Sequence, residues 1–369
     1  VIALSMDTGF RLAIQDRLLG VTAHVNLTRP NVEGIRDYRS LAERLASTPG
    51  VRAVAPAIYE TVLLSAGGHA RGIVLKGIDP ELERRSNEAL GRVVAGQANF
   101  SPDPDGIEAI LLGQTLAKEL ELAAGSYVTL TSPEGRLTPF GLIPRTRRFR
   151  VVGIFDSGFY DYDANWGFVT LEAAQSLAGL GDVVNVLEFR LEQVDRAAET
   201  AAVLSREAGQ GYSATTWMDQ NRALFRALRL EKLVTAIFLG LITFVAALNI
   251  LVVLAMTVTD RARDIAVLMA LGARRQQVRN IFILEGLAVG ALGTGIGLVA
   301  GYLLAWAAGS YRLIPLDPQV YAVPYVPFRP SGWDALWITA AALVICGAAT
   351  FVPARAAARI LPVEILRYE

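Results

Sequence analysis

Apolar positions are unevenly spread along this chain. Leu233 to Thr259, Gly286 to Tyr311 and Ala335 to Ala354 are three long stretches without a charged residue, all in the last third. A bilayer core is about 30 Å thick and a helix rises about 1.5 Å per residue, so each stretch is long enough to span it. A water-soluble helix of that length keeps a polar face, and these do not. The pattern predicts an all-α transmembrane bundle behind a large water-facing domain.

Before Leu233 the periodicity is short and mixed. Val21 to Leu27 reads as a strand. Ile35, Tyr38, Leu41 and Leu45 recur at helical spacing, and Thr48-Pro49-Gly50 ends that helix. Ile58 to Ser65 and Arg71 to Gly77 read as strands joined at Gly67-Gly68. A helix is expected over Glu81 to Val94, then strand Ala109 to Leu112 and helix Gln114 to Leu120. Strands Tyr127 to Thr131 and Phe149 to Phe155 flank a long connection. Leu171 to Leu177 predicts a helix, Val184 to Leu191 a strand and Asp195 to Glu207 an amphipathic helix, and Met218 to Lys232 a helix running into the first span. The fold class expected is an α+β extracytoplasmic domain attached to an all-α transmembrane bundle.

Charge orients the bundle. Arg261, Arg263, Arg274, Arg275 and Arg279 lie between the first two spans, and Arg355, Arg359 and Arg367 follow the third. The intervening loop carries only Arg312 and Arg329, with Pro315, Pro318, Pro324, Pro327 and Pro330. The positive-inside rule places 260–285 and the C-terminus in the cytoplasm; Arg222, Arg226, Arg229 and Lys232 are outweighed because long domains translocate largely regardless of charge. An external domain ahead of the first visible span needs an export signal or an earlier helix, and Val1 to Met6 reads as the tail of one, so a fourth helix is expected before Val1. The layout is then 1–6 as that tail, 7–230 as the external domain, spans at 231–259, 281–311 and 335–354, a cytoplasmic loop at 260–280, an external loop at 312–334 and a tail at 355–369.

Composition narrows the chemistry. Net charge is zero, which removes any bulk attraction to nucleic acid. Cys346 is the single cysteine, so no intrachain disulfide forms, and His24 and His69 make no metal-spaced cluster. No Gly-x-x-x-x-Gly-Lys-[Ser/Thr] phosphate loop occurs. Trp166, Tyr160 and Tyr162 with Asp156, Asp161 and Asp163 read as a strand-and-turn surface rather than an acid/base site. The sequence predicts no enzyme and no bound cofactor.

Three segments bear on function. In Asp260 to Ala273, residues Ile265, Leu268, Met269 and Gly272 share one helical face, and Gly272 is placed to end the helix. Two readings fit: an interfacial helix with arginines at the headgroups, or a coupling helix docking on a cytosolic motor. Gly286, Gly290, Gly293, Gly297 and Gly301 form a small-residue ladder suited to close packing, either within the chain or on a moving neighbour. Asn249 is polar at mid-span and reads as interhelical glue or, less readily, as part of a substrate path. The connection 132–148 puts Leu137, Phe140, Leu142 and Ile143 among three prolines and four arginines, a contact tip or a loop folded back on its domain.

The segment Arg263-Asp264-Ile265-Ala266-Val267-Leu268 with Leu271-Gly272-Ala273 resembles the loop shared by FtsX/MacB-superfamily permeases. Leu230-Glu231-Lys232, Ala246-Ala247-Leu248-Asn249-Ile250, Pro353-Ala354-Arg355-Ala356-Ala357, the closing Pro362-Val363-Glu364-Ile365-Leu366-Arg367-Tyr368-Glu369, and Gly9-Phe10 with Arg17-Leu18-Leu19-Gly20 and His24-Val25 are together similar to LolC/LolE permeases of the lipoprotein-releasing system. One departure is Asp260-Arg261 where the family often has Glu-Lys. The prolines around Phe140-Gly141 resemble the LolC-type hook. The resemblance implies an inner-membrane subunit that extracts lipoproteins from the outer leaflet. It implies a LolD-like ATPase that binds ATP and Mg, a second permease copy or paralogue, and a LolA-like periplasmic carrier. Arg263, Ile265, Leu268, Met269 and Gly272 would couple to the ATPase; Arg136, Pro139, Phe140, Pro144 and Arg147 would hold the carrier; Asn249, Gly293, Gly297 and Gly301 would serve packing or the substrate path. The alternatives are an FtsX-like regulator of wall hydrolases and a MacB-type efflux permease.

Overall fold

The computed structural model describes residues 1–30, 34–86, 88–138, 141–317, 323 and 325–359. The chain divides into two compact units: Val1–Leu12 with Arg226–Pro315 and Tyr325–Glu369, and Ala13–Phe225 with Leu316–Pro324. The expected domain limits at 7 and 230 therefore shift to 13 and 225. The first helix, α1 (Ile2–Val21), does not stop at Met6 but contributes to both units.

The second unit is built on one mixed sheet. Its elements after α1 are β1 (Val25–Thr28), α2 (Tyr38–Ala46), β2 (Val51–Ala66), β3 (His69–Ile78), α3 (Pro80–Ser86), β4 (Val93–Gly96), β5 (Glu108–Gly113) and α4 (Gln114–Glu119). There follow β6 (Tyr127–Thr138), β7 (Gly141–Phe155), α5 (Tyr160–Asn165), β8 (Trp166–Thr170), α6 (Leu171–Ala178), β9 (Val186–Leu191), α7 (Ala197–Ala208), β10 (Ser213–Thr216) and α8 (Trp217–Gln220). The ten strands run β10-β1-β9-β2-β3-β8-β5-β7-β4, and β6 pairs with both β2 and β7. The circuit β2-β3-β8-β5-β7-β6 therefore closes on itself, which removes most free edges. Among the described residues, only the β3–β8 and β5–β7 ladders are parallel.

Local chemistry explains most elements. Ala66 pairs with His69, and Gly67 and Gly68 both have positive φ, as a two-residue turn matched to strand twist requires. The Thr170 hydroxyl accepts from Ala173 N–H at the start of α6, and Gly179 ends it in the left-handed region. Ile58, Leu64, Ile73, Leu75, Phe149, Val151 and Phe189 are buried at alternating strand positions and meet Leu41, Leu45, Leu177 and Leu204 from α2, α6 and α7.

Three sequence expectations are corrected. The strand expected from Val21 begins at Val25, because α1 continues to Val21 and the Thr22 hydroxyl donates back to the Leu18 carbonyl. The single helix expected over 81–94 is α3, a 3₁₀ turn (Glu88–Gly91) and strand β4, whose Val93 pairs with Phe155. The long connection 132–148 is paired hairpin: β6 and β7 stay paired to Thr138 and Gly141. The register slips between Ser132 and Arg136, setting Pro133, Glu134 and Gly135 opposite Pro144. A bulge there suits prolines that cannot donate to the ladder.

Two polar clusters lie inside this unit. Lys76 on β3 is almost wholly buried and bonds Glu83 of α3 at 2.6 Å and Glu188 of β9 at 2.9 Å, while the Tyr59 hydroxyl donates to Glu188. Burial opposes the Lys76 charge, but the two carboxylates outweigh it and raise its pKa. Removing one member of a buried ion cluster strands the others without water. Lys76→Met is expected to destabilise the protein by about 3–5 kcal/mol, a loss visible in thermal or denaturant melts.

Asp163, on α5, is buried and accepts from both Ser157 N–H and the Ser157 hydroxyl at 2.8 Å. Desolvation pushes its pKa from 3.8 up to about 6; the Ser157 hydrogen bonds oppose this and Asp156 adds to it. A carboxyl raised on folding binds more protons folded than unfolded, so its contribution is greatest in acid and is lost as pH rises from about 4 to about 6. Asp163→Asn should raise the melting temperature at pH 7.5 and approach the native value at pH 5. A lower melting temperature at pH 7.5 would count against this.

Candidate functional site

The membrane unit contains α9 (Arg222–Asp260, of which 226 onward belongs here), α10 (Ala262–Ala270), α11 (Arg275–Ser310) and α12 (Gly332–Ala357). Helices α9, α11 and α12 are each long and apolar enough to cross a membrane. They contain the three charge-free stretches seen in the sequence, except Tyr311, which is the C-cap of α11.

Helix α10 has two unlike faces. Ile265 and Ala266 are buried; Ile265 packs in a cluster with Val258 of α9, Val278 and Phe282 of α11, and Ala354 and Ala357 of α12, with Met269 against its edge. Val267, Leu268 and Leu271 point outward, and Leu271 is 81% exposed. The single face expected from Ile265, Leu268, Met269 and Gly272 is thus divided: its 265–269 edge is the anchor and its 268 edge is open. The outward set adds Val267 and Leu271, which the sequence reading passed over although i, i+1, i+4 spacing joins them to Leu268. Gly272 ends the helix at φ +104°, with Gly272 N–H donating to Met269 and Ala273 N–H to Leu268. That paired closure needs a left-handed residue, which Gly supplies without strain. Arg263 is exposed on this segment.

The glycine ladder also divides. A Cβ at Gly286 would overlap the Thr350 side chain, and one at Gly290 would sit 2.7 Å from Cys346 Sγ, so these two bring α11 against α12. A Cβ at Gly301 would sit 3.0 Å from Val1 Cβ. A Cβ at Gly293 or Gly297 would meet nothing described within 4 Å, so neither packs within the described chain. Asn249 is exposed on α9 and makes no hydrogen bond among the described residues.

On the β6–β7 hairpin, Ile143 and Pro144 are exposed. Arg147 faces Glu108 at 3.6 Å, and burial holds the Glu108 pKa up in spite of it. The Arg148 guanidinium lies 4.3 Å over the Tyr127 ring. Pro139, Phe140 and the Arg136 side chain lie outside the described residues, as do Pro318, Pro324 and the closing motif from Pro362. No group of His, Cys, Asp and Glu able to hold a metal occurs among the described residues.

Residues 236–362 match the family described as FtsX-like permease C-terminal, and residues 1–207 the MacB-like periplasmic core domain. The lipoprotein-releasing system transmembrane protein LolC of Neisseria meningitidis is 33% identical over all of this chain and 90% of its own length. The chain belongs to the LolC/LolE-type permeases. LolE of Haemophilus influenzae is 27% identical over 99% of this chain and 90% of its own length. MacB of Brucella melitensis, named a macrolide export ATP-binding/permease protein, is 25% identical over the whole chain but only 56% of its own length. As a LolC/LolE-type permease this is a multi-pass inner-membrane protein, and the α+β unit is its periplasmic domain.

The ladder yields a test. Gly290→Leu should force α11 from α12 and destabilise by about 1–3 kcal/mol, whereas Gly293→Leu and Gly297→Leu should leave the melting temperature of the isolated, monomeric chain in detergent unchanged.

Proposed function

We propose that this chain is the permease subunit through which a separate ATPase extracts lipoproteins from the outer leaflet of the inner membrane and passes them to a periplasmic carrier. The observation that carries the reading is α10: a short helix whose inner residue Ile265 packs in one cluster with residues of all three spanning helices and whose outer residues, Val267, Leu268 and Leu271, are bare. A push on the bare face reaches the spans through Ile265, which shares their apolar cluster. The arginines at 261, 263, 274 and 275 put this loop on the cytoplasmic side, where ATP is available. Its relatives LolC and LolE, covered to nine-tenths of their own length, are named as proteins of lipoprotein-releasing systems.

The energetics agree. Drawing acyl chains out of lipid costs about 0.8 kcal/mol per CH₂, so the task needs both an energy source and a receiving surface. The hairpin supplies the surface in this reading: Arg136 and Arg147 on its strands and Ile143 and Pro144 beside the bulge, with Pro139 and Phe140, which lie outside the described residues, as the remaining carrier contacts proposed. The nucleotide and Mg belong to the partner ATPase. A second permease copy or paralogue completes the assembly by covering α9, Asn249, Gly293 and Gly297.

Depletion of the chain in its own host, followed by fractionation, should leave outer-membrane lipoproteins in the inner membrane. Normal delivery would sink the reading and leave the efflux and wall-regulator alternatives. Complementation with Leu271→Glu should fail and reduce ATPase co-purification tenfold or more, the scale of a lost interface anchor. Leu271 is too exposed for that change to disturb the fold.

A further inference from the structure

Within the membrane unit, α1, α11 and α12 are tied together by main-chain contacts that leave α9 out. The segment 325–331 is a strap. It begins at the Pro315–Tyr325 bridge, where Val326 N–H donates to the Ile314 carbonyl at 3.1 Å and the Arg312 guanidinium lies 4.6 Å over the Tyr325 ring. Phe328 then packs on Gly309 of α11 at 3.5 Å from where a Cβ would stand. The strap next crosses α1, where Arg329 N–H donates to the Ser5 carbonyl at 3.0 Å. The Pro327 carbonyl occupies the space of a Cβ on Gly9. It ends at Ser331, whose carbonyl accepts from the Tyr302 hydroxyl of α11 at 2.6 Å and whose side chain caps α12 through Trp333 N–H.

A backbone seated on a glycine has no side chain to reorient, so the contact is either made or broken, and Pro327 further fixes the strap's own φ. Gly286 and Gly290 bring α11 against α12, and Gly301 takes Val1 at the start of α1. Helix α9 has no buried residue between Leu230 and Val253; near its far end Leu254 and Val258 are buried, the latter in the cluster that anchors α10.

We propose that α1, α11 and α12 move as one rigid body sealed by the 325–331 strap, and that α9 pivots against it about Leu254 and Val258. Val258 lies in the same cluster as Ile265, so displacement of α10 shifts the point about which α9 turns. The inference rests on the reading that ATP binding by a separate subunit drives this chain.

The test uses the complete transporter with Cys346→Ala as background, the labelled chain diluted with unlabelled copies. Spin labels at Met6 and Leu336 report α1 against α12; labels at Ile237 and Leu303 report α9 against α11. All four side chains are exposed. On trapping with ATP and vanadate, the first distance distribution should stay fixed and the second should shift. Movement in the first pair overturns the rigid body alone. No ATP-dependent change in either pair sinks the motor reading and the pivot together. A Ser5→Cys, Arg329→Cys disulfide across the strap should leave lipoprotein release intact. Release lost on oxidation and restored by reductant would mean that the strap opens, and would overturn the proposal.

Discussion

Helices in a bilayer have no hydrophobic drive toward one another, because lipid tails are as apolar as leucine. What holds the membrane unit is therefore close approach, and close approach falls where side chains are absent. Gly286 and Gly290 admit Thr350 and Cys346, Gly301 admits Val1, and Gly9 admits a carbonyl. Each site brings dispersion contacts and main-chain polar groups into range that a single methyl would exclude. The helix without such a site facing the bundle, α9, is the one left bare.

The periplasmic unit solves a different problem. It has no disulfide available and relies on burial, and its sheet closes through β6, so the apolar alternation of β2, β3 and β7 faces one continuous core. The cost of that continuity is a buried cation. Lys76 ties β3 and the neighbouring α3 to β9, which is distant in sequence, and such a cluster rewards only the one arrangement that satisfies all its charges.

Much of this was legible in the chain. The charge-free stretches gave the three spanning helices, Gly67-Gly68 gave the hairpin turn, and Gly272 gave the end of α10, since each depends on residues adjacent in sequence. Non-local pairing was not legible. Nothing near 132–148 announces that β6 finds both β2 and β7, so a segment with three prolines read as a loop although its bulge confines them. Val93-Val94 behaves as a strand only because Phe155 is there to receive it. The glycine ladder showed a packing face but not which rungs were used. Periodicity cannot separate a neighbour in the same chain from one outside it, and the used rungs were 286, 290 and 301.

Helix α10 shows why the division of a face matters more than the face itself. Nine residues cannot form a stable helix alone, and here the Ile265–Ala266 anchor supplies what propensity does not. Had all the apolar residues been turned inward, α10 would be a silent part of the core; had all been turned outward, it would be a loose tether. With one edge locked to α9, α11 and α12 and the other presented to the medium, displacement of the open edge is displacement of the fulcrum. The stiffness of the strap and of the glycine contacts then decides which helix yields, and the only spanning helix without those contacts is α9.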